Sequence, residues 1–275
     1  IDIDPIWTLD IWFQELEKLK NNRSLSFETW YRKNDSTLFP AEVMFSYFEF
    51  ENSEYIFAFV SDISFRKKAE DNLRQSLVEK ETLLREIHHR VKNNMQIISS
   101  LLDLQSFSIS NESDKQLFID SQNRIRAMAL VHEKIYHTEN LASIDYRDYI
   151  ISLISEYRAG FEDKSNNISI DINADEIYLN IDKAIPTSLI INELITNSYK
   201  HAFSNFEKGN IHITFQENNG KYVLEIFDNG KGLPEDFKLS TSDSLGLQLV
   251  KSLCHQLKGK IIFENRDGAY FKVEY

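Results

Sequence analysis

The stretch IINELITNSYKHAF, residues 190–203, decides the fold of the C-terminal half of the chain, because it combines helical apolar spacing with a polar stripe. Glu193, Asn197 and His201 follow one another at intervals of four, so a carboxylate, an amide and an imidazole share one helix face beside Lys200. An amide oxygen is a hard ligand suited to Mg²⁺, and Lys200 and His201 can contact phosphate oxygens. A solvated polar helix face is the alternative interpretation.

The motif FDNGKG, residues 227–232, follows a run of alternating apolar residues that predicts a strand. Asp228 can accept a hydrogen bond from the exocyclic amino group of a purine. Gly230 and Gly232 allow the backbone to turn and to approach a ligand closely. An ordinary turn is the alternative interpretation of this motif.

The motif SLGLQLV, residues 244–250, predicts the start of a helix. Gly246, between Leu245 and Leu247, leaves backbone N–H groups accessible at a helix N-terminus, where anions bind. Together the three motifs predict a Mg²⁺ ligand, a group that recognises adenine and a phosphate-facing helix. A loop at 233–245, able to close as a lid, joins the last two.

The surrounding pattern predicts an α+β domain over residues 143–275, in which helices cover one face of a largely antiparallel sheet. Upstream, residues 65–142 contain two long amphipathic helices with a short connection, which predicts a helical hairpin and a four-helix bundle in a dimer. Residues 1–64 predict a helix followed by a three-stranded meander, too small to close a full core comfortably alone. We therefore predict three domains, at 1–64, 65–142 and 143–275.

The first long helix carries REIHHRVKNNMQ, residues 85–96, with two adjacent histidines. In a heptad pattern with Leu84 and Ile98 at a positions, His89 points about 170° away from the apolar seam. Glu86 and Asn93 lie three residues before and four residues after His89, on the same outer face. A carboxylate near an imidazole can fix its tautomer and accept its proton, so the spacing is compatible with a chemical role for His89 beside Glu86 and Asn93. Two ordinary surface histidines are the alternative.

The composition excludes several classes of function. A formal net charge of −12 and the lack of a basic stripe argue against a nucleic-acid partner. The single cysteine, Cys254, excludes an intrachain disulfide and a cysteine-based metal cluster. No apolar run approaches the length of a membrane span and no signal peptide opens the chain, so we expect a soluble, cytoplasmic polypeptide without a membrane segment in this sequence.

Taken together, the motifs resemble those of a cytoplasmic sensor histidine kinase. IINELITNSYKHAF resembles its N box, EIFDNGKG its G1 box, SLGLQLV a shortened G2 box, and DGAYFKVEY the last strand of an ATPase domain similar to the Bergerat fold of gyrase-type ATPases. EIHHRVKNNMQ resembles the H-R-x-K-N acceptor box of a subclass related to the HWE kinases, in which the acceptor is the histidine before Arg, here His89.

Three departures matter. HWE kinases have His where this chain has Asn192, and they have W-x-E in the G1 region where this chain reads VLEIF. The acceptor box most common in histidine kinases has Glu where this chain has Arg90, which leaves Glu86 as the candidate general base. VSDISFRKKAE, residues 60–70, resembles the exit of a PAS domain, and residues 24–67 resemble the C-terminal half of that domain.

The resemblance implies an ATP-dependent sensor kinase that phosphorylates itself on His89 and then passes the phosphoryl group to an aspartate of a response regulator receiver domain. It implies Mg²⁺ on Asn197, with Glu193 orienting a water or the metal shell, and a homodimer, with a monomer as the other possibility. Two alternatives stay open: a Bergerat-type ATPase or serine-directed kinase without histidine phosphorylation, and a non-catalytic dimeric sensor scaffold.

Overall fold

The computed structural model describes residues 9–136, 143–160, 168–203, 208–234, 237 and 244–275. The chain forms two compact units, Ile1–Glu81 and Thr82–Tyr275. Most of the loop 233–245, where we predicted a lid, lies outside the described residues.

The helices and strands follow the sequence pattern closely. The helices are α1 (Leu9–Asn22), α2 (Ser64–Ser106), α3 (Glu112–Tyr136), α4 (Tyr146–Gly160), α5 (Ile181–Asn197) and α6 (Leu245–Gln256). The strands are β1 (Ser24–Arg32), β2 (Leu38–Phe50), β3 (Ser53–Asp62), β4 (Ile144–Asp145), β5 (Ile168–Ala174), β6 (Tyr178–Leu179), β7 (Gly209–Asn218), β8 (Lys221–Asp228), β9 (Lys260–Asn265) and β10 (Ala269–Glu274).

The N-terminal unit contains the predicted helix and antiparallel meander, with strand order β1-β2-β3. Leu19 of α1 and Val43 of β2 are buried, and the ring of Trp12 meets that of Phe45 edge-on at 5.1 Å. Phe59 on β3 is 64% exposed. The buried part of this sheet is therefore limited to β1 and β2, whereas every residue of β3 is exposed.

The two long helices form a hairpin. The Nδ1 atoms of His88 on α2 and His132 on α3 lie 3.0 Å apart, and Gln122 on α3 donates its Nε2–H to the Ser99 carbonyl at 3.3 Å. Because contact positions on α3 decrease as those on α2 increase, α3 runs antiparallel to α2.

The apolar seam of α2 does not pack against α3. Leu84, Ile87 and Ile98 are 46%, 54% and 47% exposed, whereas Ser99 is 7% exposed. The heptad pattern thus located an apolar stripe correctly, but within one chain that stripe faces outward. A different face of α2, which includes His88 and Ser99, contacts α3.

The C-terminal domain is built on a five-stranded sheet of order β5-β7-β8-β10-β9. β5 pairs parallel to β7 and the remaining neighbours pair antiparallel, so the sheet is mixed but mainly antiparallel, as the sequence predicted. The short strands β4 and β6 form a separate ladder. The sequence signalled β6 but not β4, which has only two residues.

One hydrophobic core joins the sheet to the helices. Ile190 and Ile195 of α5, Ile213 of β7 and Val250 of α6 are fully buried in it. Val131 of α3 belongs to the same core. The C-terminal half of α3 is thus packed into the α/β domain as well as against α2.

Helix α5 does not continue unchanged to the end of its motif. It ends at Asn197 and is followed by a π-helical turn, Ser198–Ala202, where the sequence predicted uninterrupted α-helix. A π-turn has i→i+5 hydrogen bonds and is common at functional sites. This one carries Lys200 and His201.

Two further observations concern the membrane and the cysteine. Among the described residues, no helix combines the length and apolar character needed to cross a bilayer. Cys254 is 2% exposed in the core, as a small apolar residue would be.

We predict that Gly268→Ala strongly destabilises the C-terminal domain. Gly268 has φ +149° between β9 and β10, and a Cβ there would lie 1.7 Å from the Asp228 carbonyl oxygen. The cost in unfolding free energy should be about 2–4 kcal/mol, seen as a lower thermal midpoint. Gly220→Ala is the matched control, because Gly220 also has positive φ (+76°) but open space around a Cβ; it should cost about 1 kcal/mol. Equal midpoints for the two variants would contradict the clash.

Candidate functional site

A cavity of about 300 Å³ lies between α5, the π-turn, the end of β8 and the start of α6. Asn197, His201 and Asp228 border it, together with the apolar side chains of Leu247 and Phe271. A mainly apolar cavity with a few convergent polar groups is the usual form of a small-molecule site. Residues from three of the predicted motifs therefore meet in one place.

Asp228 is 3% exposed at the end of β8, and its carboxylate is held from several sides. Oδ2 accepts from the Ser198 hydroxyl at 2.8 Å, and Oδ1 accepts from the backbone N–H groups of Gly230 and Ala269 at 3.1 and 3.2 Å. Such a network fixes the orientation of the carboxylate toward the cavity. It gives Asp228 the rigidity that recognition of a flat, hydrogen-bonding ring requires.

The glycines of the FDNGKG motif have different roles. A Cβ on Gly230 would lie 2.5 Å from the Ala202 carbonyl oxygen, so this glycine allows β8 to end directly against the π-turn. Gly232 has φ +74° and borders the cavity. The next residue, Leu233, forms two backbone hydrogen bonds with the Asn265 side chain. Its N–H donates to Oδ1 at 2.6 Å, and its carbonyl accepts from Nδ2 at 2.8 Å.

A second cavity, of about 170 Å³, adjoins the first. Asn197, His201 and Ser244 border both cavities. The remaining lining residues of the second cavity come from the N-box helix, from the start of α6 and, on the far side, from α3: Asn192, Glu193, Thr196, Lys200, Leu245, Gly246, Leu117, Asp120 and Arg124. The polar and charged end of the cleft is thus closed by the hairpin.

Glu193 is 6% exposed and forms a bidentate ion pair with Arg124 of α3, with Nε–Oε1 and Nη2–Oε2 distances of 2.8 Å each. The Glu193 pairing raises the pKa of the Arg124 guanidinium. A Cβ on Gly246 would lie 2.5 Å from Glu193 Oε2, so a larger residue there would require the Glu193 carboxylate to move. The G2-type glycine therefore makes room for the N-box carboxylate.

The cations of the π-turn have unequal electrostatic surroundings. Lys200 forms an ion pair with Asp120 of α3, with Nζ–Oδ1 at 2.5 Å. The pKa of His201 is lowered, first by burial and then by the neighbouring Lys200 and Lys231. At neutral pH His201 therefore offers a hydrogen bond rather than a positive charge, which leaves Lys200 as the charged group of this pair.

The donor set at this end of the cleft fits Mg²⁺. Asn197 lies where the two cavities meet, beside the buried Glu193 carboxylate. Mg²⁺ takes oxygen ligands and is commonly held by one or two protein groups together with substrate phosphates. Among the described residues, no three or more His, Cys, Asp or Glu side chains are grouped so that they could hold a metal ion.

The two adjacent histidines of α2 lie in different environments. His89 is exposed, and its Nδ1 lies 3.3 Å from Asn93 Nδ2. Glu86 pairs with Arg90, with Oε1 2.7 Å from Nε, at an exposed site. The outward direction that the helical wheel predicted for His89 is confirmed, as is the neighbourhood of Asn93. Glu86 forms an ion pair with Arg90, which stands at the position where the most common acceptor box has glutamate.

His88 faces the opposite way, into the hairpin. His132 is 7% exposed, and its ring lies 5.3 Å from that of His88, centroid to centroid. With Nδ1 atoms 3.0 Å apart, one ring must donate and the other must accept. Burial lowers the pKa of both groups, and the charge of His88 lowers that of His132 further. This pair is structural, and it was not predicted from the sequence.

The sequence missed the residues that support the site from elsewhere. Ser198 follows Asn197 in the N box but carried no signal of its own, because its contact with Asp228 depends on the π-turn. Asp120 and Arg124 lie about 70 to 80 residues before their partners, at |i−j| of 80 and 69. No local spacing indicates contacts over such separations.

Two family models match this chain. Residues 86–160 match the model described as "Histidine kinase", and residues 182–275 match the model described as "Histidine kinase-, DNA gyrase B-, and HSP90-like ATPase". The first region contains the hairpin from Glu86 onward and α4. The second contains α5, the residues of the 190–203 motif that border the two cavities, and most of the five-stranded sheet.

Curated relatives agree with these matches. The chain is 34% identical over 183 residues to "Sensor histidine kinase PdtaS" of Mycobacterium tuberculosis, covering 65% of this chain and 36% of that protein. It is 25% identical over 186 residues to "Blue-light-activated histidine kinase 2" of Erythrobacter litoralis, covering 65% of this chain and 52% of that protein. The chain thus spans little more than a third of the length of the first of these relatives.

Solved structures share the fold. The histidine kinase domain of the Erythrobacter litoralis blue-light activated histidine kinase superposes with a TM-score of 0.53 at 22% identity, covering 72% of this chain and 94% of that one. A longer structure of the same kinase gives a TM-score of 0.54 at 19% identity, covering 99% of this chain and 82% of that one. At this identity the likeness concerns the fold alone.

We predict that acidification destabilises the hairpin through the His88–His132 pair. The folded pKa values lie below the unfolded value of about 6.5, so the unfolded chain takes up protons first and stability falls as pH drops below about 6.5. The thermal midpoint of the wild type should decrease when the pH is lowered from 7.5 to 5.5. In His132→Gln, which keeps a hydrogen-bonding side chain without titrating, the fall should be smaller.

The control for this prediction is Gln122→Ala, because Gln122 is a buried, non-titrating residue of α3 that also contacts α2, through the Ser99 carbonyl. It should lower the thermal midpoint at both pH values and leave the pH dependence close to that of the wild type. An unchanged slope in His132→Gln would show that the histidine pair does not carry the effect.

Proposed function

We propose that this chain, a histidine kinase by its two matched domains, transfers the γ-phosphoryl group of ATP to its own His89 and then to an aspartate of a response regulator. One observation carries the proposal. The same compact unit holds an exposed histidine on a helical hairpin and a cleft in which Asn197, Lys200 and Asp228 converge.

In the proposed complex the adenine ring occupies the larger cavity. Asp228 accepts a hydrogen bond from the exocyclic amino group, while the apolar walls around Leu247 and Phe271 exclude water from the ring faces. The network from Ser198, Gly230 and Ala269 holds the carboxylate in place before the ligand arrives. Preorganisation of this kind lowers the cost of binding.

The phosphates extend into the smaller cavity. Lys200 supplies positive charge, His201 supplies a hydrogen bond, and the N–H groups at the start of α6, from Leu245 to Leu247, face the chain of phosphates. Asn197 would hold Mg²⁺, with Glu193 orienting its shell; the ion would neutralise charge on the phosphate oxygens.

His89 attacks through Nε2. For that nitrogen to carry a free lone pair, the proton of the neutral ring must sit on Nδ1, where the amide oxygen of Asn93 can accept it once the amide is turned. The N–P bond forms as the bond between the γ-phosphorus and the ADP oxygen breaks, and the Nδ1 proton then leaves. Glu86 is the proposed acceptor, after it separates from Arg90 at their exposed pair.

The kinase subclass and the identity of the N-terminal unit are assigned from sequence resemblance. We assign the chain to the H-R-x-K-N subclass on residues 89–93, and residues 24–67 to a partial PAS domain with a sensory role. The helix-plus-meander architecture of the N-terminal unit supports the second assignment. If this unit signals through α2, Ser76→Pro should change the rate of His89 phosphorylation; an unchanged rate would leave the unit without that role.

Two alternatives have less support. A Bergerat-type ATPase or serine-directed kinase needs no histidine hairpin, but here the hairpin packs into the core of the ATPase domain. A non-catalytic scaffold needs no intact cleft, but here the cleft retains Asn197, Lys200 and Asp228. Because ATP and response regulators are cytoplasmic, the proposed location is the cytoplasm.

We predict that radiolabelled ATP with Mg²⁺ labels the chain in an acid-labile, alkali-stable form, and that His89→Ala abolishes the label. His88→Ala is the matched control, because it removes the adjacent imidazole, which faces His132 instead of solvent. It should retain labelling, though at reduced thermal stability. Labelling that survives in His89→Ala, or that maps to serine, would rule out the proposed acceptor.

We also predict a homodimer formed through the exposed apolar stripe of α2. Ile98 and Leu101 are 47% and 53% exposed on this stripe, and α2 has already used another face against α3. The double variant Ile98→Glu/Leu101→Glu should be monomeric in light scattering, whereas Ser100→Glu, on a neighbouring exposed position, should leave the mass unchanged. A monomeric wild type would contradict the dimer without affecting the proposed chemistry.

A further inference from the structure

The hairpin contributes charged residues to the cleft in addition to the acceptor histidine. Asp120 and Arg124, one helical turn apart on α3, border the smaller cavity opposite the N box. Asp120 pairs with Lys200, and Arg124 pairs with both oxygens of Glu193. Two ion pairs of opposite polarity therefore join one face of α3 to the two charged groups of the N-box segment.

These contacts occupy the groups that the proposed nucleotide complex needs. While Lys200 is bound to Asp120 it offers less charge to a phosphate, and while Glu193 is bound to Arg124 at both oxygens it has fewer lone pairs with which to orient a metal-bound water. The Arg124 and Glu193 side chains are only 16% and 8% exposed, so their pairing is screened weakly by solvent. Arg124 and a ligand therefore compete for the same carboxylate at close range.

The position of these pairs along the hairpin matters as well. His88 lies at the level of His132, so the neighbouring His89 also lies near that level. On α3, Arg124 lies 8 residues before His132, and Asp120 lies 12 residues before it. At 1.5 Å per residue, the phosphate end of the cleft is displaced roughly 12–18 Å along the helix from His89.

We propose that Asp120 and Arg124 form an electrostatic latch that occupies Lys200 and Glu193 in the ligand-free protein and that Mg²⁺-ATP releases. This inference rests on the proposed function. It adds two residues of α3 that control how readily Mg²⁺-ATP enters the cleft, whether the acceptor histidine is in the same chain or in a second copy.

Release follows from competition for the same groups. Phosphate oxygens replace Asp120 on Lys200, and the Mg²⁺ shell replaces Arg124 on Glu193. The apparent affinity for nucleotide is then lower than the intrinsic affinity by the fraction of molecules with an open latch. Any change that weakens the latch alone must tighten nucleotide binding.

The fold allows the latch to open locally. The part of α3 that belongs to the hydrophobic core, which includes Ala127, Val131 and Ile135, lies on the C-terminal side of Arg124. Breaking the two ion pairs therefore does not require exposure of those residues. The N-terminal half of α3 can separate from the N box while its C-terminal half stays packed.

The test compares wild type with Asp120→Asn, which keeps the size of the side chain and removes its charge. Binding of the ATP analogue AMP-PNP with Mg²⁺, measured by calorimetry, should tighten about threefold, as expected for a partly exposed ion pair of up to about 1 kcal/mol. The initial rate of His89 labelling should rise by a similar factor. Asp114→Asn, an exposed acidic residue on the same helix, should change neither quantity.

Arg124→Gln provides a second arm, with Arg126→Gln as its control on the same helix. Freed from Arg124, Glu193 should make AMP-PNP binding more dependent on Mg²⁺ than in the wild type. Arg126→Gln should leave that dependence unchanged. Arg124→Gln leaves a buried carboxylate unpaired, so thermal unfolding is measured in parallel, and Asp120→Asn decides the question if Arg124→Gln does not fold.

Cross-linking reports the latch without relying on activity. Leu117→Cys on α3 and Leu245→Cys on α6 place two thiols on opposite walls of the smaller cavity, in a Cys254→Ala background. A short bismaleimide should join them efficiently in the ligand-free protein. Adding Asp120→Asn should lower the yield without any nucleotide, because it opens the latch.

The outcomes separate the two proposals. If wild type binds no AMP-PNP and labels no histidine, the proposed function fails. If wild type does both, but Asp120→Asn binds nucleotide equally or more weakly and gives the same cross-linking yield, the latch is wrong. Tighter binding, faster labelling and less cross-linking in Asp120→Asn support it.

Discussion

Helix α5 is buried on almost every side, and the rest of the C-terminal domain depends on that constraint. Ile190, Ile191 and Ile195 are fully buried against the sheet and α6. Glu193 and Asn192, on the polar side, are also 6% and 2% exposed. A helix buried all round must find partners for its polar groups, because each unpaired one costs about 1–3 kcal/mol or more.

Those partners come from two other helices. Tyr157 of α4 donates its hydroxyl to Asn192 and lies 3.2 Å from the Thr196 hydroxyl. Arg124 of α3 satisfies Glu193. Helix α5 is therefore the structural contact between the hairpin and the C-terminal domain, and it also carries residues proposed to bind the nucleotide.

Two faces of α2 have different environments in the hairpin. One face packs on α3 through small and polar side chains such as Ser99 and His88, while the apolar stripe around Ile98 is exposed. His89 lies neither on the face that packs on α3 nor on the apolar stripe, and it is exposed to solvent next to Asn93. The adjacent histidines can thus have opposite roles, because successive residues on a helix point about 100° apart. His88 stabilises the hairpin, whereas His89 is the residue proposed as the phosphoryl acceptor.

The sequence by itself determined the features that depend on local spacing. Period-two runs located the strands of both sheets, and the order of the three motifs identified a nucleotide-type cleft. The helical wheel distinguished His89 from His88. Each of these follows from residues within one or two helical turns or one strand, where backbone geometry fixes which side chains share a face.

Only the tertiary structure decided which partners those faces have. The polar stripe of α5 could have been solvated, but its Glu193 is buried against Arg124, 69 residues away. The turn after Asn197 widened into a π-helix, which brings Ser198 to Asp228. The apolar seam of α2 was left exposed, because packing one helix on another uses a single face. Contacts between distant segments depend on how whole elements pack, and no local pattern encodes that.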